Sequence, residues 1–479
     1  MVSKNNFKKI SDWLWEIPKS FRSDMRVPAR IYTSERMLEN IEPGALEQVI
    51  NVCSLPGIVK YSLAMPDIHT GYGFVIGGVA ATEFPSGVIS PSGIGFDQNC
   101  GVRLLKSNLT YEEIKNRLDE LATGIQAQVP SGLGKGRKIK LSIDQINRIL
   151  EHGVQYLVEK GYGNKNDIEN CESKGKLDQA NPSFVSDRAK NRGRNQVGTL
   201  GSGNHFMEVQ RVDAIFDKDI AKVFGLFKDQ VVIMVHTGSR GLGHQNCSDY
   251  LKVTAQAMLK YNIKVPDREL SCVPFNSEEG ERFFQAMSAG ANYAWANRQM
   301  ITFYIREVWK KVLGEKQELD LLYDVAHNIA KIEEHEVDGK KIKLIIHRKG
   351  ATRAFPPNHA EIPKHYQKSG QPVLVPGSMG TASYVLAGTE ESKGAWHTVC
   401  HGAGRTMSRK QATRTISGQN VVKQLKQKGI IVKCWSSRGI AEEAPLAYKN
   451  IDNIINVVHN AGLAKKVARL APLAVIKGE

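Results

Sequence analysis

The sequence predicts an α+β fold: one large domain over residues 1–479, with mixed sheets flanked by helices. Three observations carry that expectation. Runs with helical spacing and runs with strand character interleave along the whole chain, and no stretch has the composition of a flexible interdomain linker or a solenoid repeat. Short apolar strands repeatedly end in turns rich in Gly, His and Asn, a common way to gather functional groups. At 479 residues and 41% hydrophobic composition, the chain can bury a large core.

In chain order, the N-terminal third reads as helix, helix, then strands. ERMLENI (35–41) and GALEQVINVCSL (44–55) have helical spacing and lead into the strand-like YSLAMPDIH (61–69), FVIGGVAAT (74–82) and GVISPSGIGFDQNCGVRLL (87–105). Amphipathic helices are expected near 111–125 and 142–160. Residues 161–198 are polar and turn-rich, and read as a long surface excursion with a functional or mobile role. From 199 onward, strands end in glycine-rich turns: GSGNHFMEVQ, VVIMVHTGSRGLG, KIKLIIHRKGATRAF, QPVLVPGSMGTASYVLAG and AWHTVCHGAGR. A helical run over 277–313 interrupts them.

Charge and cysteine usage narrow the function classes. The formal net charge is +16, which makes a polyanion a natural partner because Lys and Arg release counterions from phosphates. The seven cysteines are scattered without a CxxC pair, so neither a disulfide framework nor a zinc ribbon is indicated. The basic N-terminus lacks the apolar run of a secretory signal, and VVIMV (231–235) is far too short to span a bilayer. The expectation is a soluble, cytoplasmic protein with no membrane partner.

Metal-binding residue types occur as single members of separate turns: Asp97 and Cys100 in GFDQNCG, His205 in GSGNHF, His236 in VHTGSR and His327 in YDVAHN. Taken singly, each is more often a hydrogen-bonded or buried residue than a ligand. Together they suggest a binuclear site, since a thiolate can bridge two ions that imidazoles and a carboxylate complete. Two adjacent cations suit phosphoryl or nucleotidyl transfer. The glycine-rich turns can cradle phosphates, but the P-loop and dinucleotide-binding strings are missing. HGAGR sets His401 and Arg405 around three small residues, and a histidine there can attack phosphorus while the arginine stabilises charge. Arg188, Lys190, Arg192 and Arg194 precede GTLGSGNH, and Arg348, Lys349 and Arg353 follow in HRKGATR, so both runs abut the suggested site as a basic surface. The basic residues of GKGRKIK (134–140) read as solubilising.

Read together, MPDIHTGYGFVIGG, GIGFDQNCGVR, RGRNQVGTLGSGNHFMEVQ, VHTGSRGLGHQ, YDVAHNIA, HRKGATRAFPP, PGSMGTASYVL, CHGAGRTMSR and LAPLAVIKGE resemble RtcB-type RNA ligases, in order and over essentially the whole chain. That resemblance implies the family's own mixed α/β fold. It also implies joining of RNA 2′,3′-cyclic-phosphate or 3′-phosphate ends to 5′-hydroxyl ends in tRNA splicing and RNA repair. By the same carry-over, Cys100 bridges two Mn²⁺ ions, with Asp97 and His205 on one and His236 and His327 on the other. His401 attacks the α-phosphate of GTP. Asn204 contacts phosphate, Arg405 lies by the phosphates, and Glu208, Ser378, Ser383, Tyr448 and Lys477 form the guanine pocket. An archease-type activator protein is a further implied partner.

Gln98 departs from the resemblance, standing where an apolar residue is expected, and bears on local packing rather than on the ligands. Asp67 and His69 in MPDIH are read as groups that orient ligands or satisfy turn hydrogen bonds. A metal-dependent phosphodiesterase or phosphatase with water in place of His401, and a non-catalytic RNA-binding or chaperone role, are the competing readings.

Overall fold

The computed structural model describes residues 6–137 and 140–478, so Lys138 and Ile139 of the GKGRKIK run lie outside the described residues. The mixed α/β class expected from the sequence is the one found, and it is organised around two large sheets.

The first sheet runs in the order Lys8–Ser11, Leu14–Ile17, Ala29–Tyr32, Ile58–His69, Ile76–Glu83, Lys340–Lys349, Asn328–Val337. It is antiparallel except where Ala29–Tyr32 lies parallel to Ile58–His69. The second runs Asp320–Ala326, Gly101–Thr110, Gln230–Thr237, Phe206–Ile215, Ala464–Lys477, Ser383–Gly388, Pro372–Val375, antiparallel throughout, with Ile431–Cys434 added parallel to Ala464–Lys477.

Both sheets are covered on both faces, which explains the continuous apolar runs in their central strands. In the first sheet, Leu63 and Met65 pack with Val399 and Ile454, while Ala64 and Ile68 turn to Val49 and Val52 of the helix Pro43–Val52. In the second, Val231, Ile233 and Val235 pack against helices Leu118–Gln128 and Glu278–Leu313, while Val232 and Met234 meet Phe224 and Tyr366.

Three expectations need correction. The two helices expected near the N-terminus are found, as Glu35–Leu38 and Pro43–Val52, but three strands unmarked in the sequence, Lys8–Ser11, Leu14–Ile17 and Ala29–Tyr32, precede them, and only the last of these strands is a buried run that sequence patterning could have marked. The segment 161–198 lies partly at the surface but is folded and anchored rather than a loop. It folds into short helices, including Lys165–Glu169 and Asp187–Gly193. Two of its acidic residues are internal partners: buried Asp167 binds Arg306 at 2.6 and 2.7 Å, and buried Glu172 binds Lys331 at 2.5 Å. The glycine-rich RGLGH also opens a helix, Arg240–Lys260, rather than continuing as a turn.

The long helix Glu278–Leu313 is expected from sequence and begins at Ser277, whose side chain accepts from the Gly280 N–H. Midway along it, buried Asn297 and Arg298 hold three loops together. Asn297 accepts from Gly198 and Thr199 N–H and donates to the carbonyls of Thr199 and Gly238. Arg298 donates to the Asn99 and Thr237 carbonyls at 2.8 Å each and forms a two-pronged pair with Asp324, also at 2.8 Å. Buried donors in an apolar interior must be satisfied, and here the satisfying groups belong to the turns that carry the candidate ligands.

Candidate active site

The turn between Ser90 and the strand Gly101–Thr110 presents Asp97 and Cys100 three residues apart. Asn99 there has a left-handed φ of 49°, its N–H donates to the Asn328 carbonyl at 2.7 Å, and Asn328 donates to the Asp97 carbonyl at 3.1 Å. His205 precedes the strand Phe206–Ile215, His236 lies at the end of Gln230–Thr237, and His327 joins the last strand of one sheet to that of the other. The adjacent strands place Phe206 opposite His236, and His236 opposite Val102, which brings the side chains to one end of the sheet.

These side chains converge. The Cys100 Sγ lies 3.4 Å from His205 Nε2 and 3.3 Å from His236 Nε2; His236 Nε2 lies 3.3 Å from His327 Nε2; and Asp97 Oδ2 lies 2.8 Å from His205 Nε2. They form two donor groups that share the sulfur, Cys100–His236–His327 and Asp97–Cys100–His205. The opposite ring nitrogens set the tautomers. His205 Nδ1 faces the Leu200 carbonyl at 3.0 Å and His236 Nδ1 the Asn204 carbonyl at 3.2 Å. A carbonyl only accepts, so each Nδ1 carries the proton and each Nε2 lone pair points into the cluster.

Burial and neighbouring positive charge push His236 and His327 well below the usual imidazole range, so both rings are neutral. Burial and the Asp97 charge push the Cys100 thiol well up. For Asp97, burial acts upward, but its neighbours His205, Cys100 and Arg240 together outweigh it and the net shift is downward. Lone pairs of sulfur, nitrogen and oxygen meeting in a buried pocket fit a first-row cation, whose charge would favour the thiolate. Backbone space is shaped for this carboxylate: a Cβ at Gly238 would meet Asp97 Oδ1 at 2.5 Å.

His401 follows the three-residue strand Thr398–Cys400 and lies beside this cluster, its ring 5.0 Å from that of His327. Its Nδ1 is 2.5 Å from Oδ2 of Asp67, which is fully buried and also accepts from the His401 N–H at 3.0 Å. Asp67 therefore orients His401 rather than a candidate metal ligand, and leaves the His401 Nε2 lone pair facing the cleft. Gly404, at φ 66°, passes so close that a Cβ would meet the Asp67 carbonyl at 2.2 Å.

The cleft has a volume of 830 Å³ and is lined by all five candidate ligands and His401, together with Asn204, Glu208, Ser378, Arg405, Tyr448 and Lys477. Ser383 stands behind it, with its Oγ accepting from Gln210 Nε2 at 3.0 Å; the same amide donates to Glu208 at 2.7 Å. Burial pushes the Glu208 carboxyl up to about 7, and burial lowers Lys477. Glu443, which sequence patterning did not reveal, is buried among these groups: it accepts from Tyr448 and from Arg405 at 3.1 Å, and lies 3.9 Å from Lys477. Arg405 thereby reaches the cleft already paired.

The basic surface is only partly one. Arg188 and Arg192 are exposed, and Arg192 lines the cleft while donating to Gln245. Arg194 donates to the Leu141 carbonyl, and Lys190 is buried. Arg353 and Arg348 are fully buried, so neither offers a surface to a partner. Arg353 is paired with Glu361 at 2.5 Å, and Arg348 with Glu333 at 2.5 and 2.9 Å, as interior guanidiniums must be. Lys349 is buried in the cleft wall, donates to the Tyr72 and Phe74 carbonyls, and is lowered by burial to about 7. Gln98 packs against Gly290 of the long helix and accepts from Asn246 at 3.0 Å, so a polar partner accommodates the departure from an apolar residue.

Fold and site together define a mixed α/β protein with a candidate metal centre, two donor groups that share one sulfur, beside a carboxylate-held histidine. Residues 48–478 match the family model described as tRNA-splicing ligase RtcB, and the chain belongs to that family. Relatives named tRNA-splicing ligase RtcB include those of Methanococcus maripaludis, 53% identical over 99% of this chain and 100% of theirs, and Thermococcus kodakarensis, 54% identical over 98% of each. The Archaeoglobus fulgidus relative of the same name is 52% identical over 98% of each chain.

Proposed function

We propose that the chain, acting as one domain over residues 1–479, is an RNA ligase of tRNA splicing and RNA repair. It joins RNA 2′,3′-cyclic-phosphate or 3′-phosphate ends to 5′-hydroxyl ends, with GTP and two Mn²⁺ ions as cofactors. Family membership and the names of near-full-length relatives support the ligase class. The observation that carries the chemistry is the pairing of His401 Nδ1 with buried Asp67, which leaves Nε2 as a nucleophile next to the candidate ligands.

In this reading, His401 Nε2 attacks the α-phosphorus of GTP, a P–N bond forms and pyrophosphate leaves. The RNA 3′-phosphate oxygen, made available by hydrolysis where the end begins as a 2′,3′-cyclic phosphate, then takes the GMP, giving RNA(3′)pp(5′)G and regenerating His401. The 5′-hydroxyl finally attacks the RNA phosphorus and GMP departs. Asp67 supports the positive charge that develops on the ring in the first step. Bound Mn²⁺ on Asp97, Cys100, His205, His236 and His327 would supply charge neutralisation at phosphate oxygens. Asn204 and Arg405 bind phosphate, while Glu208, Ser378, Ser383, Tyr448 and Lys477 receive guanine. A carboxylate at Glu208 selects guanine because it accepts from N1–H and N2–H, which adenine does not offer together. Exposed Arg188 and Arg192 meet the RNA backbone, while buried Lys190 and Arg194, turned to the Leu141 carbonyl, add positive charge behind them from the same segment. An archease-type protein as activator and a cytoplasmic location belong to the same proposal; no described helix is long and apolar enough to cross a membrane.

The test is incubation with Mn²⁺ and α-³²P-GTP followed by denaturing electrophoresis. Acid-labile label on the wild type, absent with ATP and lost in His401→Ala, is expected. An unlabelled wild type that merely opens RNA 2′,3′-cyclic phosphates or removes RNA 3′-phosphates would replace this reading with a phosphodiesterase or phosphatase.

A further inference from the structure

His69 has been assigned no chemistry so far, yet it forms part of the cleft wall. It is the last residue of the strand Ile58–His69, is only 9% exposed, and lines the same cavity as His401. The two rings lie nearly parallel, with an interplanar angle of 25° and centroids 6.3 Å apart. Its Nδ1 is 2.8 Å from the main-chain carbonyl of Asp67, the residue that holds His401. A carbonyl cannot donate, so Nδ1 carries the ring proton and Nε2 is left with a lone pair and no protein partner among the described residues. Burial holds the ring neutral, with a pKa of about 4. The backbone beneath is fixed as well, because Lys449 Nζ donates to the carbonyls of Pro66 and Ile68.

A neutral, acceptor-only imidazole recognises a group that brings a hydrogen, and is a poor neighbour for an anionic oxygen. The position narrows which group. Glu208 and Lys477 come from the second sheet, whereas His69 comes from the first, on the wall that continues to Thr70 and Tyr72. In the reading above the guanine is received at Glu208 and Lys477, on the second sheet, so the wall from the first sheet is assigned to the RNA ends. Of the groups that react there, the 3′-phosphate is an anion, and the attacking 5′-hydroxyl is a donor.

We propose that His69 Nε2 accepts a hydrogen bond from the attacking 5′-hydroxyl of the RNA, so that this residue helps select a 5′-hydroxyl over a 5′-phosphate end. The inference rests on the ligase reading above. It places His69 in contact with substrate only at the sealing step, with no part in forming the histidine–GMP bond.

The steps can be separated. Guanylylation of the enzyme is followed with α-³²P-GTP, and sealing with preformed RNA(3′)pp(5′)G and a 5′-hydroxyl RNA, in wild type, His69→Phe and His69→Gln. The phenylalanine keeps a planar ring without an acceptor, and the glutamine carbonyl restores one near the Nε2 position. The expected result is sealing reduced roughly tenfold more than guanylylation in His69→Phe, as for one lost hydrogen bond, with recovery in His69→Gln. A parallel fall of both steps, or no difference between the two variants, would overturn the assignment in favour of a packing role. So would a defect that vanishes when the 3′-terminal nucleotide is 2′-deoxy, since the contact would then be to a 2′-hydroxyl. A wild type that fails to take label fails the ligase reading itself, an outcome distinct from all of these.

Discussion

Asp67 controls His401 through a single proton. With its carboxylate at 2.5 Å, Nδ1 keeps the hydrogen and Nε2 the lone pair. Asp67→Asn permits the opposite tautomer, and the rate of GMP labelling is expected to fall by roughly 100-fold or more with the fold intact, as circular dichroism would verify. Glu208 offers a pH-dependent test. Its folded pKa of about 7 lies above the ordinary carboxylate value of 4.5 because burial disfavours the charge. The sign follows: the folded protein holds this proton more tightly than the unfolded chain, so Glu208 contributes stability below about pH 4.5 that is lost as pH rises through about 7. Guanine requires the ionised form, so GTP binding near pH 6 is expected to release a proton. Calorimetry in buffers of different ionisation enthalpy measures it, and Glu208→Gln should abolish the release. Neither effect is legible in sequence. Asp67 and Glu208 are named there by motif, whereas tautomer and burial depend on what packs around them.

At the scale of elements, the strand Thr398–Cys400 is a three-residue lever that delivers His401, and both its ends are anchored. Trp396 and His397, with φ of 53° and 47°, turn into it in left-handed conformations. Arg348 holds that entrance by donating to the Trp396 carbonyl and the Thr398 hydroxyl, 2.9 Å each. Its guanidinium is simultaneously paired with Glu333, 4% exposed. Arg348→Met leaves that carboxylate buried without its cation, and a destabilisation of about 3–5 kcal/mol is expected in denaturant unfolding. Adding Glu333→Gln should return part of the loss, since the orphaned charge is then removed as well. Strand patterning marked HRKGATR and AWHTVCHGAGR as strands ending in turns that carry candidate site residues, and both are strands whose turns line the cleft. It misread Arg348 and Arg353 as surface charges because local sequence does not show which neighbours a guanidinium meets.

Across the whole molecule, the candidate ligands come from turns more than two hundred residues apart in sequence, Asp97 to His327, and are joined by the long helix through Asn297 and Arg298. Binding of a cation to the folded state alone raises stability by mass action. Mn²⁺ should therefore raise the melting temperature of the wild type in a concentration-dependent way, and a Cys100→Ala variant should lose most of that increase. The net charge of +16 makes a second whole-molecule expectation: affinity for RNA should fall linearly with salt on logarithmic axes. Titration of a fluorescent RNA at several ionic strengths measures the slope. A flat dependence would show that the excess charge is spread over the surface and not turned towards RNA.

The sequence by itself determined the α/β class, most strands from Ile58 onward, the long helix, and the residue types of the site, because apolar periodicity and short glycine-flanked motifs are local properties. The tertiary structure alone decided that Asp97, Cys100, His205, His236 and His327 meet, and that Asp67 serves His401. It also turned Asp167 and Glu172 of the segment 161–198 inward and buried Glu443 beside Arg405 and Tyr448. The physical reason is the same in each case. Polar residues in an interior need partners, and those partners come from segments remote in the chain, so only the folded arrangement reveals whether a polar residue faces water, a neighbour or a ligand.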